Sequence, residues 1–171
     1  SYIKKISETN FYPLHEAASG YHSAIPIILT VNHFSEIVKR QRTFIVEEPE
    51  QNLFPKVQKK LMEFMVESVN KFDNQFILPT HSPYILTSLS NLMYAYQVGK
   101  NNHKVSELIE EKYWINPKDV SAYKLVYDEK GTVSESIFDK ELQEINVNDL
   151  DKVSVENSEL WHSILNVEEN G

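Results

Sequence analysis

Residues 43–55, Thr-Phe-Ile-Val-Glu-Glu-Pro-Glu-Gln-Asn-Leu-Phe-Pro, decide the reading of this chain: an apolar run that ends abruptly in acids. Phe44, Ile45 and Val46 have the character of a strand buried on both faces. Glu47 and Glu48 then emerge at its carboxyl end, where open α/β sheets place their chemistry and where a metal ion and a water would sit. The pattern recurs downstream, where Phe76-Ile77-Leu78 leads into Pro79-Thr80-His81-Ser82-Pro83. This second run ends in an imidazole able to donate and to accept a proton.

Between the two runs, Val57, Leu61, Phe64, Met65, Val69 and Phe72 fall at helical spacing after Pro49 and stop at the polar Asp73-Asn74 turn. Strand, long helix, strand is a βαβ unit. Its strands are expected to be parallel, joined by a right-handed crossover, and to open their active ends on the same side. Glu47, Glu48 and His81 then converge. Upstream, Ile27, Val31, Phe34 and Val38 predict a helix with Pro26 in its first turn.

Downstream, Ser82 and Pro83 suit a helix start, and Leu92 to Val98 reads as another strand closed by Gly99. Residues 100–116 read as a charged loop with a short helix. Val120 to Tyr127 and Thr132 to Phe138 read as a hairpin around Asp128-Glu129-Lys130-Gly131, followed by an acidic segment with a final helix near Leu160. No internal repeat or low-complexity linker is visible. The expected division is residues 1–99 as the site-bearing lobe and residues 100–171 as an α+β extension packed on it.

At 171 residues the chain is long enough to bury one sizeable core. It contains no cysteine, which excludes disulfides and thiolate zinc sites and fits a reducing compartment. No secretory leader is visible at Ser1-Tyr2-Ile3-Lys4-Lys5, and the apolar run Ala24 to Val31 is too short to span a bilayer. The expectation is a soluble, cytoplasmic protein without a membrane partner. A net charge of −8 argues against nucleic-acid binding over the whole surface. Local basic clusters remain at Lys39, Arg40 and Arg42, and at Lys56, Lys59 and Lys60, the latter equally well explained as a solvated helix face.

Adjacent carboxylates at a strand end can divide labour, one holding Mg²⁺ and the other activating a water. An isolated Glu-Glu pair is more readily two solvated acids at a helix start, and it is the flanking residues that reverse that preference. Phe44-Ile45-Val46-Glu47-Glu48-Pro49-Glu50, then Leu53 and Pro55, then Thr80-His81-Ser82-Pro83, resembles the ABC-type branch of P-loop ATPases. Within it, the pattern is most similar to the AAA-like ATPases of the overcoming-lysogenization-defect (OLD) nucleases and of Septu-type and retron-associated antiphage systems, in a superfamily that includes SMC- and RecF-like proteins. The resemblance implies ATP and Mg²⁺ as cofactors, Glu47 at the Walker B metal position, Glu48 as the catalytic glutamate and His81 as the switch histidine near the γ-phosphate. Ala18-Ser19-Gly20-Tyr21-His22-Ser23 is similar to the family signature motif, placed before a helix. Ser19, the Gly20 amide and the positive end of that helix suit the γ-phosphate of a nucleotide held by another subunit.

The sequence departs from the wider superfamily by Glu47 in place of the usual Asp, and by Phe54 where His or Asp often stands. It also lacks a Walker A loop. That loop needs Gly, four residues, then Gly-Lys-Ser/Thr to close amides around phosphates, and none of Gly20, Gly99, Gly131 and Gly171 is followed by Lys. The resemblance therefore covers Phe11 to Val98 and implies an α/β, parallel-sheet lobe of an ABC-type P-loop NTPase, with the Walker A lobe missing or separate and a carboxyl-terminal hairpin and helical extension. It further implies ATP hydrolysis in a homodimer or higher oligomer, inactivity of the lobe alone, and a DNA-related or antiphage role with DNA or an effector nuclease as partner. The competing reading is a non-hydrolysing module that holds an effector or toxin. Two-carboxylate glycoside chemistry is disfavoured because adjacent residues cannot flank a scissile bond. His15, His22, His33 and His103 show no metal-ligand spacing, and Trp114 and Trp161 read as core rather than as base-stacking residues.

Overall fold

The structure is a computed structural model that describes residues 2–4, 11–129 and 131–146. The chain divides between Asn116 and Pro117 into two compact units. The final helix expected near Leu160 lies outside the described residues.

In the first unit, β1 (Tyr2–Lys4) and β2 (Phe11–Pro13) form an antiparallel pair, with Tyr2 opposite Pro13. Helix α1 (Ser19–Asn32) follows and widens into a π-helical turn over His33–Ile37. Then come β3 (Thr43–Ile45), α2 (Pro55–Phe72) and β4 (Gln75–Ile77), and β3 and β4 are parallel in the register Phe44 to Phe76. This is the expected βαβ arrangement, a small parallel sheet in a mixed α/β unit. Helix α2 starts with Pro55 at a first-turn position, where its missing N–H is no loss, and ends at Asp73 in the left-handed region with φ 56°.

One face of the β3–β4 sheet packs on the core. Phe44 and Phe76 stack across the strands with centroids 5.3 Å apart. Val46, Phe76 and Leu78 lie against buried Leu53, Leu61, Met62, Met65 and Ile85, with Ile27 and Ile28 of α1 on the same cluster. Among the described residues, none covers the other face: Ile45 is 68% exposed and Ile77 52%. The expectation of strands buried on both faces thus fails, because a continuous apolar run is equally compatible with one packed face and one bare one.

Two further boundaries differ from expectation. Helix α1 begins at Ser19 and carries Pro26 in its interior. Interior proline removes a backbone hydrogen bond and costs about 3 kcal/mol, a cost offset here by the apolar residues after it: Ile27 and Ile28 join the core and Val31 is buried. Helix α3 (Pro83–Gly99) absorbs the segment Leu92 to Val98, which is therefore not a strand. The Ser82 side chain caps the first turn by accepting from the Ile85 N–H, and Ile85, Leu92, Met93, Ala95 and Gly99 line one buried helical face.

After α3 come a short helix α4 (Val105–Leu108) and a 3₁₀ turn over Glu111–Tyr113, as the charged segment suggested. The turn delivers Trp114 onto Gly99: a Cβ at Gly99 would run into the six-membered ring of the indole. Trp114 Nε1 donates to the Ile109 carbonyl at 2.8 Å, which fixes the ring there, so this tryptophan is a packing residue. In the second unit, β5 (Tyr123–Asp128) and β6 (Gly131–Ser136) form the expected hairpin, with Lys124 and Glu135 paired across it at 3.3 Å. A smaller ladder joins β7 (Phe138–Asp139) to β8 (Glu144–Ile145). Among the described residues, no helix is long and apolar enough to cross a membrane.

Two stability changes follow from this packing. Gly99→Ala gains about 1 kcal/mol of helix propensity but must displace the Trp114 ring, and overpacking of this kind costs roughly 1–3 kcal/mol. Denaturant unfolding is expected to show a net loss, and a gain would mean that Trp114 is not seated on Gly99. Ser82→Ala removes the α3 cap together with the Ser82 Oγ bond to Gln58 Oε1 at 2.6 Å. Its expected effect on the same measurement is a loss of roughly 1–3 kcal/mol.

Candidate functional site at the paired strand ends

Backbone pairing between the two strands continues past their regular ends. The Val46 N–H donates to the Ile77 carbonyl at 3.0 Å and the Glu48 N–H to the Pro79 carbonyl at 2.8 Å. The two carboxyl-terminal loops therefore leave the sheet side by side. Glu48 adopts φ 44°, a left-handed conformation that costs a non-glycine residue about 1–2 kcal/mol. Such strain concentrates at functional positions.

From there the chain folds tightly. Pro49 is fully buried, the Gln51 N–H donates to the Glu48 carbonyl, and the Leu53 N–H donates to the Glu50 carbonyl. A second left-handed residue, Asn52 at φ 61°, turns the chain into α2. This double turn leaves Glu47 and Glu48 exposed and buries the side chain of Glu50.

The loop after β4 meets this turn through side chains. His81 Nδ1 lies 3.7 Å from Glu48 Oε1 and 3.8 Å from Glu50 Oε1. Both separations are within ion-pair range and beyond hydrogen-bond length. Glu50 Oε1 accepts from the Thr80 hydroxyl at 2.7 Å and from the His81 backbone N–H at 3.2 Å. The Thr80 oxygen in turn accepts from the Ser82 N–H at 3.0 Å, Ser82 Oγ donates to Gln58 Oε1, and Gln58 Nε2 donates to the Leu53 carbonyl at 2.9 Å. A continuous polar chain thus runs from Glu50 through residues 80–82 into the start of α2. The structure brings Glu48 and His81 together and adds Glu50, which the sequence reading quoted without assigning a role. The available signal was its position two residues beyond Glu48, across Pro49 and opposite Thr80.

Ser19 and Gly20 do not precede a helix: they are the first residues of α1, after Ala18 as a cap without a side-chain hydrogen bond. Gly20 lies against the turn that follows Glu50. A Cβ there would meet the Asn52 carbonyl oxygen at 3.0 Å and Leu53 Cδ2 at 3.3 Å, and Asn52 Nδ2 donates to Ser23 Oγ at 3.3 Å. The first amides of a helix have no intrahelical acceptor and point outward.

Two lysines of the second basic cluster are engaged in ion pairs. Lys59 and Lys60 pair with the buried carboxylate of Glu63, which hydrogen-bonds Lys60 and raises its pKa above the ordinary lysine value. Lys39, Arg40 and Lys71 line an open cleft with Glu36 near the start of β3, at the opposite strand end from Glu48. Among the described residues, no group of three His, Asp or Glu side chains is arranged to hold a metal ion. A Mg²⁺ ion bound with nucleotide phosphates does not require such a group, because it keeps waters and takes one or two carboxylates. Glu47, exposed beside Glu48, fits that lesser demand.

No curated protein and no solved structure matched the chain. Residues 2–86 match the model of a family described as an AAA ATPase domain, a span that holds Ser19, Gly20, Glu47, Glu48 and His81. That match supports an AAA-like ATPase domain with a general ATPase-like function, which implies nucleotide binding and, with it, Mg²⁺.

Proposed function

We propose that this chain supplies the catalytic-strand lobe of an ABC-type ATPase of the OLD, Septu-type and retron-associated branch, and that it works with a Walker A lobe carrying the phosphate loop. The observation that carries this reading is the approach of Glu48 to His81 at 3.7 Å, on loops held together by the Glu48 N–H bond to the Pro79 carbonyl. A carboxylate and an imidazole at adjacent parallel strand ends are the acid–base groups that hydrolysis of a phosphoanhydride calls for.

In this reading Glu48 orients the attacking water and takes its proton. The exposed ring of His81 faces the γ-phosphate, and Glu47 is the carboxylate that would hold Mg²⁺. When bound, that ion would supply charge neutralisation on the phosphate oxygens. Ser19 and the Gly20 amide at the start of α1 act on the γ-phosphate of a nucleotide held by the other subunit of a dimer. Opening and closing of that dimer drives a DNA-related or antiphage process, and the lobe by itself does not turn over ATP, since no Gly-x₄-Gly-Lys-Ser/Thr pattern occurs in its sequence.

The test is ATP turnover of the native protein carrying these residues, beside Glu48→Gln, with and without DNA. The wild type is expected to hydrolyse Mg-ATP. Glu48→Gln is expected to lose roughly 10²–10⁴-fold in kcat while still binding ATP. A wild-type protein that neither binds nor hydrolyses ATP would overturn this reading in favour of a non-hydrolysing module that holds an effector or toxin.

A further inference from the structure

Glu50 differs from the other acids at the strand ends. It is 8% exposed, whereas the Glu48 side chain keeps half of its surface and the His81 ring about three quarters. Its Oε1 is bonded to the Thr80 hydroxyl and the His81 N–H, and its Oε2, also buried, has no hydrogen-bond partner among the described residues. A buried carboxylate oxygen without a donor is costly, and the cost falls when a donor turns toward it. His81 Nδ1 lies 3.8 Å from Oε1 of the same carboxylate, within ion-pair range, and it can donate to this carboxylate in the Nδ1–H tautomer.

We propose that Glu50 is the positioning residue for His81. It pins the backbone of Thr80 and His81 through its Oε1 and draws the Nδ1–H edge of the imidazole inward, so that Nε2, on the far side of the exposed ring, faces the terminal phosphate of a bound nucleoside triphosphate. Second partners of this kind fix both the tautomer and the direction of a histidine. The Thr80 hydroxyl supports the arrangement, because with its single proton given to Glu50 it accepts from Ser82 and ties residues 80–82 into one unit. Glu48 lies equally near Nδ1, so His81 stands between a rigid buried carboxylate and an exposed one. The catalytic consequence rests on the ATPase reading, whereas the ring orientation does not.

Two measurements test this separately. Long-range ¹H–¹⁵N correlation spectra of the chain itself, with His81 assigned through His81→Ala, read the ring tautomer without any nucleotide. The neutral wild-type ring is expected as the Nδ1–H tautomer, and Glu50→Gln, which keeps the size of the side chain, is expected to move it toward Nε2–H. A wild-type ring that is mainly Nε2–H overturns the assignment even if the variant fails to fold.

In the native protein, Glu50→Gln is expected to lower kcat about 10- to 100-fold, the scale of a misplaced catalytic group. KM for ATP should stay within about twofold, as for an interaction made only in the transition state. In a His81→Ala background the same substitution is expected to do almost nothing, since both changes act through one ring. Equal losses in the two backgrounds, or none in either, would show that Glu50 does not work through His81. Absence of turnover by the wild type would remove the ATPase reading alone, and the ring spectrum would still decide the role of Glu50.

Discussion

A single backbone hydrogen bond, from the Glu48 N–H to the Pro79 carbonyl at 2.8 Å, sets the geometry on which the rest of this site depends. It carries the parallel register of β3 and β4 beyond the sheet, into two loops that would otherwise diverge. Its net energy is small, about 0.5–1.5 kcal/mol for a bond of this type. The energy that holds the strands together comes instead from the packed face, where Phe44 stacks on Phe76 and Val46 and Leu78 sit on Leu61, Met62 and Met65. Burial at about 25 cal/mol per Å² outweighs any single hydrogen bond once several such side chains are involved. The core therefore determines that the strands pair, and the loop hydrogen bonds determine which side chains meet at their ends.

Much of that arrangement was legible in the sequence because it is written in strong local signals. Two apolar runs separated by an amphipathic stretch admit few arrangements besides a βαβ unit, and the ends of those runs put Glu48 and His81 side by side. The misread elements have physical reasons. An apolar run does not say how many of its faces are packed, so the bare Ile45 and Ile77 could not be read from it. Pro26 looks like a helix start because proline is well tolerated there, and only the burial of Ile27, Ile28 and Val31 shows why the helix runs through it. Leu92 to Val98 has strand-like composition, but the Ser82 cap starts a helix whose buried face reaches Gly99, and tertiary packing overrides β propensity.

The role of Glu50 was hard to read for a different reason, although its place two residues beyond Glu48 was visible. Adjacent acids look alike in sequence, and burial separates them. The loop reaches its geometry through two left-handed residues, Glu48 and Asn52, within five positions. Their conformations are strained for non-glycine residues, and the structure holds them because Pro49, between them, and Leu53, just after them, are buried. That double turn directs Glu50 inward while leaving Glu47 and Glu48 in solvent.

A carboxylate placed inward in this way is unfavourable unless the facing loop supplies donors. The facing loop, Thr80-His81-Ser82, supplies two donors to Glu50 Oε1, the Thr80 hydroxyl and the His81 N–H, while its Ser82 donates to Thr80 and caps α3. The polar chain ends on Gln58 and the Leu53 carbonyl, so it returns to the loop from which it began. Such a closed circuit is destabilising if any member is missing and well defined when all are present. It therefore links the strain at Glu48 to the orientation of the His81 backbone. The pairing of an exposed carboxylate with an exposed imidazole rests on a buried carboxylate whose Oε1 is held by the Thr80 hydroxyl and the His81 N–H. An apolar residue at position 50 would be less costly to bury, but it could accept from neither the Thr80 hydroxyl nor the His81 N–H, the two bonds that join the strand-end loops through the Glu50 side chain.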